Sequence, residues 1–158
     1  MIDGVEIKKL KVIKDKRGFL MEMLRCDDSM FDTFGQSYMT GVKKGFAKAW
    51  HYHKKQIDRV TCVMGQALWV MYDAREDSKT KSEIMEVVMS DPSISGEQVL
   101  IKVPPGVLHG FTTHNCNEVR IVNVPNNKYE YEEPDEHRYP WNSDEIKYTW
   151  PDDVKDGG

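Results

Sequence analysis

Apolar and polar positions alternate along most of the chain in short runs, the period of a strand whose successive side chains face opposite sides. Such runs occupy residues 46–53, 58–64, 67–73, 83–89, 98–103, 108–113 and 118–124. Turn signals separate them at Lys43-Lys44-Gly45, Met64-Gly65-Gln66, Asp77-Ser78-Lys79, Pro92 to Gly96 and Pro104-Pro105-Gly106. Upstream, residues 5–14 mix apolar and basic positions and predict one edge strand guarded by lysines. The turn Asp15-Lys16-Arg17-Gly18 leads into a strand over 19–24, and residues 36–40 predict another. Residues 27–35 begin with acids and end in glycine, which predicts a single helical turn. Many short strands with no amphipathic helix between them predict an all-β fold, for which a jelly roll is the best fit.

After Pro125 the chain turns acidic, aromatic and proline-rich. Tyr129, Tyr131, Tyr139, Trp141, Tyr148 and Trp150 carry too much apolar surface for a solvated tail, so this stretch is expected to be an arm packed on the barrel. Only residues 152–158 are expected to fray. No linker, repeat or second core interrupts residues 1–158, which are expected to form a single domain.

Composition narrows the function. Hydrophobic residues make up 39% and charged residues 30% of the 158, which argues against disorder. A formal charge of -4 without a basic block argues against nucleic acid as a partner, while leaving room for a small anion held by local basic groups. No apolar run reaches the roughly 20 residues of a membrane span and the N-terminus lacks an apolar leader, so a cytoplasmic protein with no membrane partner is expected. Cys26, Cys62 and Cys116 are too few and too scattered for a disulfide framework and read as free thiols, Cys62 within the core.

The chemistry centres on His51-Tyr52-His53. In a strand both imidazoles face one way, and imidazoles can transfer protons near neutral pH or bind metals. With Asp58 and His109 they form a three-histidine, one-carboxylate set suited to Mn, Fe, Ni or Zn, which would make the protein a metal-dependent isomerase or dioxygenase.

Gly45, five residues, His51-x-His53, four residues, Asp58, six residues, Gly65 resembles the first motif of the cupin superfamily, with Asp where Glu is usual. Pro104-Pro105-Gly106-Val107-Leu108-His109 resembles the second. A closer resemblance covers nearly the whole chain. Asp15 to Glu22, Gln36, Lys48-Ala49-Trp50-His51, Asp73-Ala74-Arg75, Pro105 to Phe111, Pro134-Asp135-Glu136 and Trp141-Asn142 look like dTDP-4-dehydrorhamnose 3,5-epimerases, and most like the branch linked to spore-coat and surface polysaccharide synthesis. The resemblance implies a cupin-type double-stranded β-helix, a 4-keto nucleotide sugar as substrate, no metal or other cofactor, and a homodimer in which N-terminal strands cross between subunits. His51 would be the base. Arg17, Glu22, Gln36 and His109 would bind substrate, and Lys48 stands where the family has an arginine for the phosphates.

Three positions depart from the family. Its proton-donating tyrosine falls near Val122 or Asn123, so Tyr131 or Tyr129 is the expected substitute. A lysine that stabilises the enolate aligns with Asp58. The acid that orients the base falls near Thr149, leaving Asp144 or Asp58 to replace it. These departures leave open a 3,5-epimerase, a single-centre epimerase, or a barrel that binds sugar nucleotides without catalysis.

Overall fold

The computed structural model describes residues 1–158 as strands, turns and loops with no helix. The strands are β1 (Glu6–Lys9), β2 (Val12–Asp15), β3 (Gly18–Met21), β4 (Tyr38–Lys43), β5 (Phe46–Tyr52), β6 (Asp58–Met64), β7 (Gln66–Asp73), β8 (Ile84–Ser90), β9 (Val99–Val103), β10 (Val107–Thr113), β11 (Glu118–Asn123), β12 (His137–Arg138) and β13 (Asp156–Gly157). One sheet runs β1-β9-β6-β11-β4, and a facing sheet runs β12-β5-β10-β7-β8 with β13 alongside β5. The expected all-β jelly roll is the fold observed, and the seven strand runs from residue 46 to 124 lie within two residues of their expected limits.

Two apolar layers flank the six-stranded sheet. Between the sheets, Val60, Trp69, Met71, Ile101, Phe111 and Ile121 form the main core. On the outer face, Trp50, Leu68, Val70 and Leu108 are covered by Ile146, Trp150 and Val154 of the aromatic arm. Trp150 tilts against Trp50 at 5.1 Å between ring centroids and donates its indole N–H to Trp141 O at 3.0 Å. The arm is therefore the second wall of a core, as its aromatic content requires.

Three expectations are corrected. Residues 5–14 form two strands, because Leu10 turns inward onto Met30 and Leu100, leaving β1 on β9 and sending β2 into a separate hairpin with β3. Residues 27–35 form turns and no helical turn. The fully buried Arg59 takes the carbonyls of Met30 and Thr33 at 2.8 and 3.1 Å, which a helix would need for its own bonds. The end of the chain is not frayed: Asp156 and Gly157 pair in parallel with Phe46 and Ala47. The short β12 leaves the carbonyls at the start of β5 open, and Lys155 N and Gly158 N bond Gly45 O and Ala47 O at 2.8 and 3.1 Å.

One irregularity shapes the interior. His109 pairs with His51, yet Phe111 pairs with Lys48, so β5 holds one residue more than β10 over this interval. Such a bulge re-aims side chains. Lys48, His51 and His53 all line the interior while Ala47, Ala49, Trp50 and Tyr52 face the arm. Gly110 permits the close approach, since a Cβ there would lie 2.3 Å from Ala49 Cβ and 2.8 Å from Lys48 O.

Candidate active site

A cavity of about 290 Å³ opens at one end of the space between the sheets. Trp69, Phe111, Val60 and Ile121 form its apolar floor, and Trp69 stacks on His109 at 5.4 Å. The six-stranded sheet contributes Lys48, His51 and His109, with Glu136 and Arg138 from the arm. The five-stranded sheet contributes Tyr38, Thr40, Asp58 and Asn123 from the opposite side.

Asp58 is the hub. Its Oδ2 lies 3.2 Å from both His53 Nε2 and His109 Nε2, and its Oδ1 accepts from Gln56 Nε2 and Asn123 Nδ2 at 2.8 Å each. Burial alone would push this carboxyl up, but the bonds from His109 and His53 outweigh it and hold the group well below the ordinary carboxylate range. His53 is the counterpart: burial pulls it down, while the Asp58 bond and charge and the Asp135 carbonyl at Nδ1 raise it to about 9. It is an imidazolium at neutral pH. His109 Nδ1 faces Val107 O at 3.1 Å.

His51 behaves differently. Burial, then the charges of His109 and Arg138, lower it to about 4, with Glu136 opposing. At neutral pH it is a free base. It takes no part in the Asp58 network, so Asp58 does not orient it. Asp144 is exposed and lies outside the cavity. The carboxylate whose charge His51 feels is that of Glu136, which also binds Arg138. Arg138 is brought opposite His51 by the β12 pairing.

Of the residues expected at the site, His51, His53, Asp58, His109 and Lys48 converge on the cavity. Lys48 Nζ donates to Thr40 Oγ1 at 2.8 Å. Gln36 lines an adjoining cleft with Lys54 and Lys55. Tyr131 lies outside this cavity: it is 89% exposed in the exposed stretch 128–134, its ring meets that of Tyr129 at 5.1 Å, and it lines the adjoining cleft that His53 also borders. Arg17 sits in the β2–β3 turn, held by Asp15 at 2.6 Å, and Glu22 pairs with Arg25 at 3.2 Å. Both stand away from this cavity. Tyr38, Asn123, Glu136 and Arg138 were not expected as site residues. Asn123 is the one with a signal in the sequence, as one of the two positions, with Val122, near which the family tyrosine falls.

His53, Asp58 and His109 place two nitrogens and one oxygen within 4.8 Å of one another, a donor set that a divalent ion could share. His51, the fourth member of the expected metal set, is not part of this group.

Residues 1–157 match the family model for dTDP-4-dehydrorhamnose 3,5-epimerase. The chain is 38% identical over 150 residues to the spore coat polysaccharide biosynthesis protein SpsL of Bacillus subtilis, covering 95% of this chain and 97% of that protein. It is 35% identical over 151 residues to the probable low-salt glycan biosynthesis epimerase Agl13 of Haloferax volcanii, covering 94% of each. Its fold matches a solved dTDP sugar isomerase from Desulfovibrio desulfuricans with a TM-score of 0.87, 26% identity and coverage of 94% and 92%. These relations favour an epimerase over a metal-dependent cupin.

Proposed function

The chain belongs to the dTDP-4-dehydrorhamnose 3,5-epimerase family, and on that premise we propose that it epimerises a nucleotide-linked 4-keto sugar in surface polysaccharide synthesis, with His51 as the base. The observation that carries this reading is the separation of the three cavity histidines into roles. His53 and His109 are committed to Asp58, while His51 is unprotonated and uncommitted on the cavity wall.

A proton on a carbon beside a ketone becomes removable when a base faces it and the enolate oxygen is stabilised. His51 supplies the base. A ligand's negative charge raises its basicity on binding, because an opposite charge favours the imidazolium. Lys48 bonds a hydroxyl and no carboxylate, so its charge is available to the enolate or the diphosphate. As a lysine it offers a point charge in place of the family arginine's planar grip. The cleft of Gln36, Lys54 and Lys55 continues from the cavity through Tyr38, His53 and Glu136 and suits the nucleotide diphosphate.

The working form on this reading is a homodimer. The β2–β3 hairpin stands off the barrel with Ile13, Phe19 and Leu20 more than half exposed, and a lone two-stranded hairpin is marginal in water. A second copy would cover those side chains and give Arg17 and Glu22 a cavity to reach. No helix is long and apolar enough to cross a membrane, and three free thiols suit the reducing cytoplasm.

Product analysis by NMR after incubation with dTDP- and UDP-linked 4-keto-6-deoxyhexoses tests the proposal. Inversion of one or both centres flanking the ketone is expected from at least one of them. No inverted product from any would reject it.

A further inference from the structure

Inversion requires an acid on the side of the sugar ring opposite the base, and Tyr131 does not reach the cavity. We propose that Tyr38 is that acid. This assignment rests on the epimerase reading above.

Tyr38 opens β4 at the edge of the five-stranded sheet, and His51 lies on β5 of the facing sheet, so the two line opposite walls of one cavity. Its ring reaches the surface, giving an overall exposure of 41%, but its hydroxyl is turned onto Asn123. Asn123 Nδ2 donates to Tyr38 Oη at 2.9 Å and to Asp58 Oδ1 at 2.8 Å. Asn123 Oδ1 in turn accepts from Arg59 N at 3.0 Å, which fixes the amide's orientation. The phenol oxygen is thus used as an acceptor while its own proton is left for a ligand. Burial, then the Asp58 charge, pushes the phenol up to about 12, which keeps that proton in place until an enolate calls for it. Tyr38 also lines the adjoining cleft, so it stands where a ligand's sugar and diphosphate would meet.

The step balances without a further reactant. His51 takes the proton from the carbon beside the ketone, and the C–H electron pair becomes the enolate. The enolate carbon then takes the Tyr38 hydroxyl proton from the other wall, the electron pair re-forms the C–H bond, and the centre is inverted. The phenolate regains a proton from solvent, and the His51 imidazolium releases one to it. The Asn123 bond steadies the transient phenolate.

Solvent exchange and inversion come apart if the assignment is right. In deuterated water, with whichever dTDP- or UDP-linked 4-keto-6-deoxyhexose the wild type converts, Tyr38→Phe should still exchange the proton removed by His51, within about tenfold of the wild-type rate and with configuration retained. Its yield of inverted product should fall roughly 10²- to 10⁴-fold, the usual weight of a positioned acid. Tyr131→Phe should invert at nearly the wild-type rate. Melting temperature and dTDP affinity confirm that the Tyr38→Phe protein is folded and binds. Inversion by Tyr38→Phe within a few-fold of wild type would overturn the assignment. So would loss of both exchange and inversion in a folded, nucleotide-binding variant, which would place Tyr38 in the first step. A wild type that neither exchanges nor inverts any of these sugars would instead reject the epimerase reading itself.

Discussion

Asp58→Asn removes the charge that keeps His53 an imidazolium while preserving shape and the capacity to bond Asn123 and Gln56. In the folded protein His53 is raised from its ordinary 6.5 to about 9. At about 1.4 kcal/mol per tenfold change in proton affinity, this corresponds to about 3 kcal/mol of stability. Because the folded value lies above the unfolded one, the contribution is complete below about pH 6.5 and is lost as pH rises through about 9. The wild type is therefore expected to lose about 3 kcal/mol between pH 6 and pH 9 from this group. Cys62, whose buried thiol is pushed up to about 12, adds a loss of the same sign at alkaline pH. It does so equally in both proteins, so the difference between their pH profiles reports the ion pairing at Asp58. Urea unfolding followed by tryptophan fluorescence at both pH values measures that difference. A slope in Asp58→Asn as steep as in the wild type would refute the ion-pair account.

His51 has the opposite sign: its folded value near 4 lies below 6.5, so its contribution is lost as pH falls from about 6.5 toward 4, and His51→Asn should stabilise the protein near pH 5 relative to wild type in the same urea assay. Gly110→Ala forces a Cβ to within 2.3 Å of Ala49 Cβ. It should cost about 1–3 kcal/mol and, by displacing Lys48 and His51, lower kcat more than melting temperature alone explains. Trp150→Ala strips the outer core of its buried indole and should cost about 3–5 kcal/mol in denaturant unfolding. Treatment with a chelator followed by elemental analysis should leave epimerisation unchanged, whereas a metal that leaves together with activity would transfer the chemistry to the His53, Asp58 and His109 group.

The strands from residue 46 to 124 were legible because each carries its own alternation and its own turn signal. The aromatic arm was legible for a different reason: its large rings call for a wall to pack on, and Tyr139, Trp141, Tyr148 and Trp150 find one, while Tyr129 and Tyr131 stay exposed. Leu10 marks where legibility ended upstream, since a break inside a mixed apolar and basic run is set by a distant partner, here Met30 and Leu100. Residues 27–35 read as helical locally but are held open by Arg59, which comes from another strand. At the site, His51 and His109 were visible through motif spacing. Alternation along one strand puts His51 and His53 on one face, but it cannot put Lys48 there too. That required the extra residue opposite Gly110, a property of the β5–β10 pairing. Tyr38 and Asn123 are 85 residues apart in sequence and meet only because β4 pairs with β11. Tyr131 is near the site along the chain, yet it sits in the exposed stretch 128–134, outside the cavity.

The central claim is that His51 removes a proton beside the ketone. The most direct measurement is the rate of solvent deuterium entry into a 4-keto nucleotide sugar with wild type and with His51→Asn, each verified as folded and able to bind dTDP. Deuterium entry at a carbon flanking the ketone, lowered roughly 10²- to 10⁴-fold in His51→Asn, is the expected result. Equal exchange by the two proteins would contradict the assignment of His51 as the base.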